Sequence, residues 1–269
     1  MFNLSFATAL LLASAALAIP TSDERRELRI ARRREQRGSQ PPIVVDAPDA
    51  IVASSNETAH VSYSSNWSGA VLVANTATYK SVTGTFTVPT PSKGTTSSST
   101  QAASAWVGID GDTCSTAILQ TGIDFYVEGS GVSFDAWYEF YPDYAYDFSG
   151  VTVSAGDSIT LTATVSSATA GTVVITNNSK GWTKSKSLTS SARLCQYNAE
   201  WIVEDFSVNS GLIPFADFGT VTFTGASATT NSGSSVGPGG SEIIEIQQSS
   251  KVLTSTDVSG STVSVTYIG

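Results

Sequence analysis

Beyond residue 60 the chain alternates apolar and polar positions with a period of two, in short runs separated by Gly, Pro, Asn, Asp and Ser. The runs are VTGTFTVP (82–89), SAWVGID (104–110), TAILQTGIDFYV (116–127), FDAWYEFYP (134–142), SITLTATV (158–165), GTVVITN (171–177), NAEWIVEDF (198–206), GTVTFTGA (219–226), EIIEIQQ (242–248), KVLTST (251–256) and STVSVTYI (261–268). All are short and rich in β-branched or aromatic residues, which suit a pleated, half-buried surface. No segment carries an apolar period of 3.6. The pattern predicts an all-β chain folded as a β-sandwich, with a body of about 210 residues forming one large domain. Ser/Thr/Gly-rich segments at 92–104 and 227–241 read as surface loops, and 180–193 as a loop open to clipping.

The faces of individual strands sharpen this. Residues i, i+2 and i+4 of a strand share a face. In 134–142, Phe134, Ala136, Tyr138 and Phe140 make an ordinary core face. Asp135, Trp137, Glu139 and Tyr141 make the other, where two carboxylates between two large aromatics suit a cleft wall or a half-exposed face. In 198–206, Glu200, Ile202, Glu204 and Phe206 oppose Trp201, Val203 and Asp205. Glu204 is either a desolvated carboxyl with a raised pKa, fit to act as base and then acid, or a solvated strand-end residue. Gln120, between Leu119 and Thr121, needs partners in a β core and could serve as an oxyanion donor.

The N-terminus departs from this pattern. Met1–Ala18 carries an apolar run ending in small residues, too short to span a bilayer, and reads as a signal peptide. Residues 19–55 hold Arg25, Arg26, Arg29, Arg32, Arg33, Arg34 and Arg37, half of the chain's 14 Lys+Arg. Beyond them seven basic residues face 17 acidic ones, a net charge of about −10. A basic arm on an acidic body suggests a nucleic-acid arm, a linker or a removable pro-segment. Export argues against nucleic acid, and a pro-segment lying on the acidic body is the reading adopted. The expected layout is signal peptide 1–18, pro-segment 19–55 and catalytic domain 56–269, in a secreted monomer with no membrane partner.

Cys114 and Cys195 are the two cysteines, and in an exported protein they most simply form one disulfide, worth roughly 3–5 kcal/mol. That bridge could make the strands of Gln120 and Glu204 neighbours. Sequons stand at Asn56, Asn66 and Asn177.

Elimination narrows the chemistry. His60 is the one histidine, so a His-clustered zinc site is excluded, HExxH is absent, and no GxSxG elbow accompanies it. There is no phosphate-cradling GxxxxGK[ST] or GxGxxG. Asp110-Gly111-Asp112 resembles a calcium loop only faintly and reads better as a polar turn. No metal or cofactor is expected. Carboxylates and amides remain as reacting groups.

The segments NWSGAVL (66–72), TGTFTVPTP (83–91), AWVGIDGDTC (105–114), AILQTGIDFY (117–126), DAWYEFYPDYAYDFSG (135–150), LCQYNAEWIVEDF (194–206) and VSVTYI (263–268) resemble the glutamic peptidases, or eqolisins, acid endopeptidases of filamentous fungi. The resemblance implies two long antiparallel sheets of concanavalin-like, jelly-roll type with a concave groove. It implies a catalytic pair, Gln120 and Glu204, and a groove lined by Trp67, Asp110, Asp124, Asp135, Trp137, Glu139, Tyr141 and Phe206. Ser207 stands where some members carry a further Glu. The family's cysteine pair matches Cys114 and Cys195, and Asn66, beside Trp67, is expected to carry no glycan. Polypeptides are the implied substrates, with the pro-segment as intramolecular inhibitor. Two rivals use the same groove: a glycoside hydrolase with Glu139 and Glu204 as its carboxyl pair, and a carbohydrate-binding module stacking sugars on Trp67, Trp137 and Tyr141. Both leave Gln120 without a task.

Overall fold

The computed structural model describes residues 37–45, 50–53 and 58–269. The expected signal peptide, most of the expected pro-segment and Asn56 lie outside the described residues. The strands are β1 (Arg37–Gly38), β2 (Ala50–Ala53), β3 (Thr58–Ser64), β4 (Trp67–Val73), β5 (Tyr79–Thr87), β6 (Thr100–Ile109) and β7 (Ile118–Glu128). They continue as β8 (Gly131–Tyr141), β9 (Tyr146–Asp147), β10 (Ser158–Ser167), β11 (Ala170–Asn177), β12 (Trp182–Thr189), β13 (Asn198–Glu204) and β14 (Ser207–Val208). The last are β15 (Gly211–Leu212), β16 (Thr220–Thr230), β17 (Ser235–Val236), β18 (Glu242–Gln248), β19 (Lys251–Val252), β20 (Thr254–Ser259) and β21 (Thr262–Tyr267). No helix occurs among the described residues.

Two large sheets form the expected sandwich. One runs β2-β3-β18-β4-β13-β6-β7-β8-β9, with β19 on β18. The other runs β12-β11-β10-β5-β16-β21-β20, with β17 on β16. A small third sheet, β1-β14-β15, joins the N-terminal Arg37–Gly38 strand to the body. Pairing is antiparallel except that β3 runs parallel to β18, a departure from the purely antiparallel expectation.

The core lies between the large sheets. One contributes Ala105, Val107, Leu119, Ile123, Phe140, Trp201 and Val203, the other Phe86, Leu161, Val173, Ile175 and Phe223. Trp201 spans the gap, its indole N–H donating to the Thr83 carbonyl at 2.8 Å. The outer face of the second sheet explains its Thr-rich alternation. Ser81, Thr83 and Thr85 meet Thr164, Thr162 and Thr160 across the strands at 2.8, 2.9 and 2.8 Å.

Several boundaries differ from expectation. Residues 100–104 extend β6 and 227–230 extend β16, so the 92–104 and 227–241 loops are shorter than their composition indicates. The 180–193 loop contains β12, an edge strand whose WTKSKSLT sequence is polar because it is largely exposed. Cys114 and Cys195 are disulfide-bonded. The bridge does not make the Gln120 and Glu204 strands neighbours, because β6 lies between β13 and β7.

Candidate active site

The outer face of the first sheet carries polar residues that the period-two pattern sets opposite the core. Register aligns them in three rows. Val71, Glu200, Gly108, Gln120 and Glu139 lie opposite one another across β4, β13, β6, β7 and β8. The next row is Gly69, Ile202, Trp106, Gly122 and Trp137. The third is Trp67, Glu204, Ser104, Asp124 and Asp135. Gln120 and Glu204 thus stand diagonally on either side of Trp106. Gly122 gives the indoles room: a Cβ there would lie 2.6 Å from the Trp106 Cβ and 2.8 Å from the Trp137 ring.

Both residues of this pair are fully buried. Glu204 Oε2 accepts the Trp106 indole N–H at 2.9 Å, and Oε1 accepts the Gln40 backbone N–H at 3.3 Å. Burial pushes its carboxyl up to about 7, against the lowering effect of the nearby Arg37 charge and of these donors. Neither atom of the Gln120 amide has a hydrogen-bonding partner among the described residues. Such a group is costly to keep buried unless something else engages it.

Residues 37–40 lie over this face. β1 pairs antiparallel with β14, Arg37 opposite Val208. The Arg37 side chain enters the groove between Trp137 and Phe206, its guanidinium carbon 3.8 and 4.7 Å from their ring centroids. It binds Asp124 through two bonds, Nε–Oδ2 at 3.0 Å and Nη2–Oδ1 at 2.9 Å, and donates to Glu139 Oε2 at 3.1 Å. The Ser39 N–H also donates to Glu139 at 3.1 Å. Burial holds the Glu139 carboxyl well above the usual range, although Arg37 opposes this. Gln40 Nε2 donates to Ser207 Oγ.

The other expected groove residues divide. Trp67 is buried edge-on against Trp106 at 4.9 Å, and Tyr141 packs on the same apolar cluster. Phe206 sits edge-on to Tyr126, whose hydroxyl donates to Asp124 at 3.1 Å. Asp135 is half-buried beside Asp124 in register. Asp110 differs: its carboxylate is occupied by the backbone N–H groups of Gln196, Tyr197 and Asn198 at 2.8, 2.7 and 3.2 Å. Sequence reasoning missed Trp106 and Ser104, although both share the Gly108 face of SAWVGID. It had no signal to select Arg37 from seven arginines.

Two sequon asparagines are buried. Asn66 Nδ2 donates to the Gln40 and Pro41 carbonyls, and Asn177 Nδ2 donates to Asp157 at 2.8 Å.

With this geometry in place, comparison with known proteins is decisive. The model of the peptidase A4 family matches residues 65–267. The chain belongs to that family. Aspergillopepsin-2 of Aspergillus niger is 47% identical over 97% of this chain and 98% of its own. Scytalidopepsin B of Scytalidium lignicola is 44% identical over 76% of this chain and 78% of its own. A crystal structure of scytalido-glutamic peptidase with a transition state analog inhibitor superposes with a TM-score of 0.69, at 45% identity over 76% of this chain and 98% of that one. Aspergilloglutamic peptidase from Aspergillus niger gives 0.61, at 53% identity over 62% of this chain and 99% of that one. The chain is a glutamic endopeptidase, a hydrolase of peptide bonds. The two carbohydrate readings of the groove are thereby set aside.

Proposed function

We propose that this peptidase is secreted and works in acid, with Glu204 as general base and then acid and Gln120 as oxyanion donor. Glu204, ionised, takes a proton from a water as the water oxygen bonds to the scissile carbonyl carbon. The Gln120 Nε2–H donates to the tetrahedral oxyanion. Glu204 returns its proton to the departing amide nitrogen, the C–N bond breaks, and a carboxylic acid and an amine leave. The observation that carries this reading is the Gln120 amide, buried and unpartnered on the face that holds Glu204. The remaining groove side chains would bind and orient the polypeptide. A related eqolisin has been solved in a complex with the tripeptide Ala-Ile-His, which supports a peptide ligand for the groove.

Residues 37–45 act in this reading as an intramolecular inhibitor, the signal peptide 1–18 directs export, and the activated enzyme is a monomer. While the segment is docked, burial holds the Glu204 carboxyl near 7, so in acid it is protonated and cannot serve as a base. Departure of the segment readmits water and lets that pKa fall.

The test is hydrolysis of denatured casein at about pH 3, with pepstatin present, by the activated chain and by Gln120→Ala and Glu204→Gln. The wild type should cleave, and each variant should lose about a thousandfold or more in kcat. Casein left intact by the activated wild type would overturn the peptidase mechanism. Full activity in Gln120→Ala would overturn the role of the amide.

A further inference from the structure

The carboxyl of Glu200 is absent from this mechanism. It is fully buried, and neither of its oxygens has a hydrogen-bonding partner among the described residues. An unpaired buried carboxyl is costly, and in a scaffold position a leucine would be cheaper. Its position suggests why it is kept. Glu200 and Gln120 lie in the same cross-strand row, separated only by Gly108. A Cβ built on Gly108 would lie 3.0 Å from Glu200 Oε1, 3.3 Å from the Gln120 Cβ and 2.7 Å from the Trp106 ring. The bare glycine therefore leaves room for the edge of the Trp106 ring above it, with the Glu200 carboxyl on one flank and the root of the Gln120 side chain on the other. Two buried, unpartnered polar groups on either side of one glycine are complementary: an amide oxygen needs a donor.

We propose that Glu200 is a positioning residue for Gln120, its carboxyl holding the amide oxygen from across Gly108 through one water, so that Nε2–H faces the reacting carbonyl. The inference rests on the role assigned to Gln120. An unrestrained primary amide can turn over and present its oxygen to the oxyanion, which would repel it. A donor fixed on the Oε1 side prevents the flip. Glu200 can donate because burial, reinforced by Asp110 and Asp112, raises its pKa well above the usual range and keeps it protonated.

The experiment compares the full chain, after acid activation, as wild type, Glu200→Leu, Glu200→Met, Glu200→Gln and Gln120→Ala, measuring kcat, KM and melting temperature. Leu and Met fill the space but cannot donate; Gln donates through its amide. Whichever apolar variant folds should keep its melting temperature, lose about tenfold in kcat and hold KM within about twofold, because the orienting contact matters in the transition state. Glu200→Gln should recover most of the rate. A wild-type kcat in a folded apolar variant, or a Gln variant as slow as the apolar ones, would overturn the inference while leaving an inactive Gln120→Ala to support the parent mechanism. A fully active Gln120→Ala would remove both.

Discussion

Arg37 and Asp124 form a two-bond ion pair, Nη2–Oδ1 at 2.9 Å and Nε–Oδ2 at 3.0 Å, with both side chains 3% exposed. A guanidinium buried so deeply needs its counter-charges, and removing one partner of such a pair typically costs roughly 3–5 kcal/mol. Arg37→Gln should therefore loosen the docked segment by about that amount, and the full-length variant should cleave a fluorogenic peptide near neutral pH where the wild type stays latent. Arg37→Lys, which lacks the planar fork, should fall between them. Equal latency in wild type and Arg37→Gln would show that β1 pairing alone holds the segment.

The pH dependence of docking follows from two opposed couplings. Asp124 holds Arg37 as a carboxylate through two bonds, so acid strong enough to protonate it removes that ion pair and weakens docking. Glu204 works the other way. Burial in the docked state raises its pKa to about 7, so docking takes up a proton there and this contribution strengthens as pH falls through that value. Burial holds Glu139 high as well, so acid release must come from the Arg37–Asp124 pair. In a processing-deficient Gln120→Ala background the segment should be retained at neutral pH and lost near about pH 3, whereas adding Arg37→Gln should abolish or invert that dependence. Segment retention can be followed by the loss of its amide protection in hydrogen exchange. Equal retention in acid and at neutrality by the Gln120→Ala chain would sink the release model.

Much of this site is legible in the sequence because a strand's parity is fixed. The faces assigned to 134–142 and 198–206 follow from counting by two, which sets Glu204 on the face of Ile202 and Phe206; that it is buried there, and not a solvated strand end, is decided by the fold. Strand order is not local information. Nothing between Cys114 and Gln120 says that β6 separates β7 from β13, and so the Trp106 contact with Glu204 was hidden. Arg37 is less legible still, since seven arginines share one composition and only the β1–β14 register selects one. β12 was read as loop because an edge strand with half-exposed faces lacks the apolar alternation that marks the inner strands.

Trp106 tunes the base. Its indole N–H, 2.9 Å from Glu204 Oε2, stabilises the ionised carboxylate. Trp106→Phe keeps most of the apolar bulk and deletes that donor. A hydrogen bond to a charged group is worth roughly 1.5–3 kcal/mol, so the Glu204 pKa should rise by at least about one unit. Because Glu204 must be ionised to take the water's proton, kcat/KM falls as pH drops through its pKa. The acid limb of the kcat/KM profile should therefore move at least about one unit toward higher pH in the variant. An unmoved limb would show that another group sets it.

Asp110 should prove to be scaffold. Its carboxylate gathers three backbone N–H groups at residues 196–198, beside the Cys114–Cys195 bridge and at the start of β13. Asp110 itself holds φ at 68°, a left-handed conformation that Asp and Asn tolerate better than most residues. Asp110→Asn can keep that backbone, but one of its two acceptor oxygens becomes an NH₂ group facing N–H donors. Asp110→Ala loses both acceptors and strains the backbone as well. The expected losses are about 2 kcal/mol for Asn and about 3–4 kcal/mol for Ala, or roughly 4–16 °C in melting temperature for a domain of this size. Calorimetry would rank the two variants, and an active-site-titrated kcat would separate fold from chemistry. If Asp110 serves only the 196–198 turn, kcat per folded molecule should stay within about threefold of wild type in the Asn variant. A thousandfold loss in a well-folded Asp110→Asn would instead place its carboxylate in the reaction.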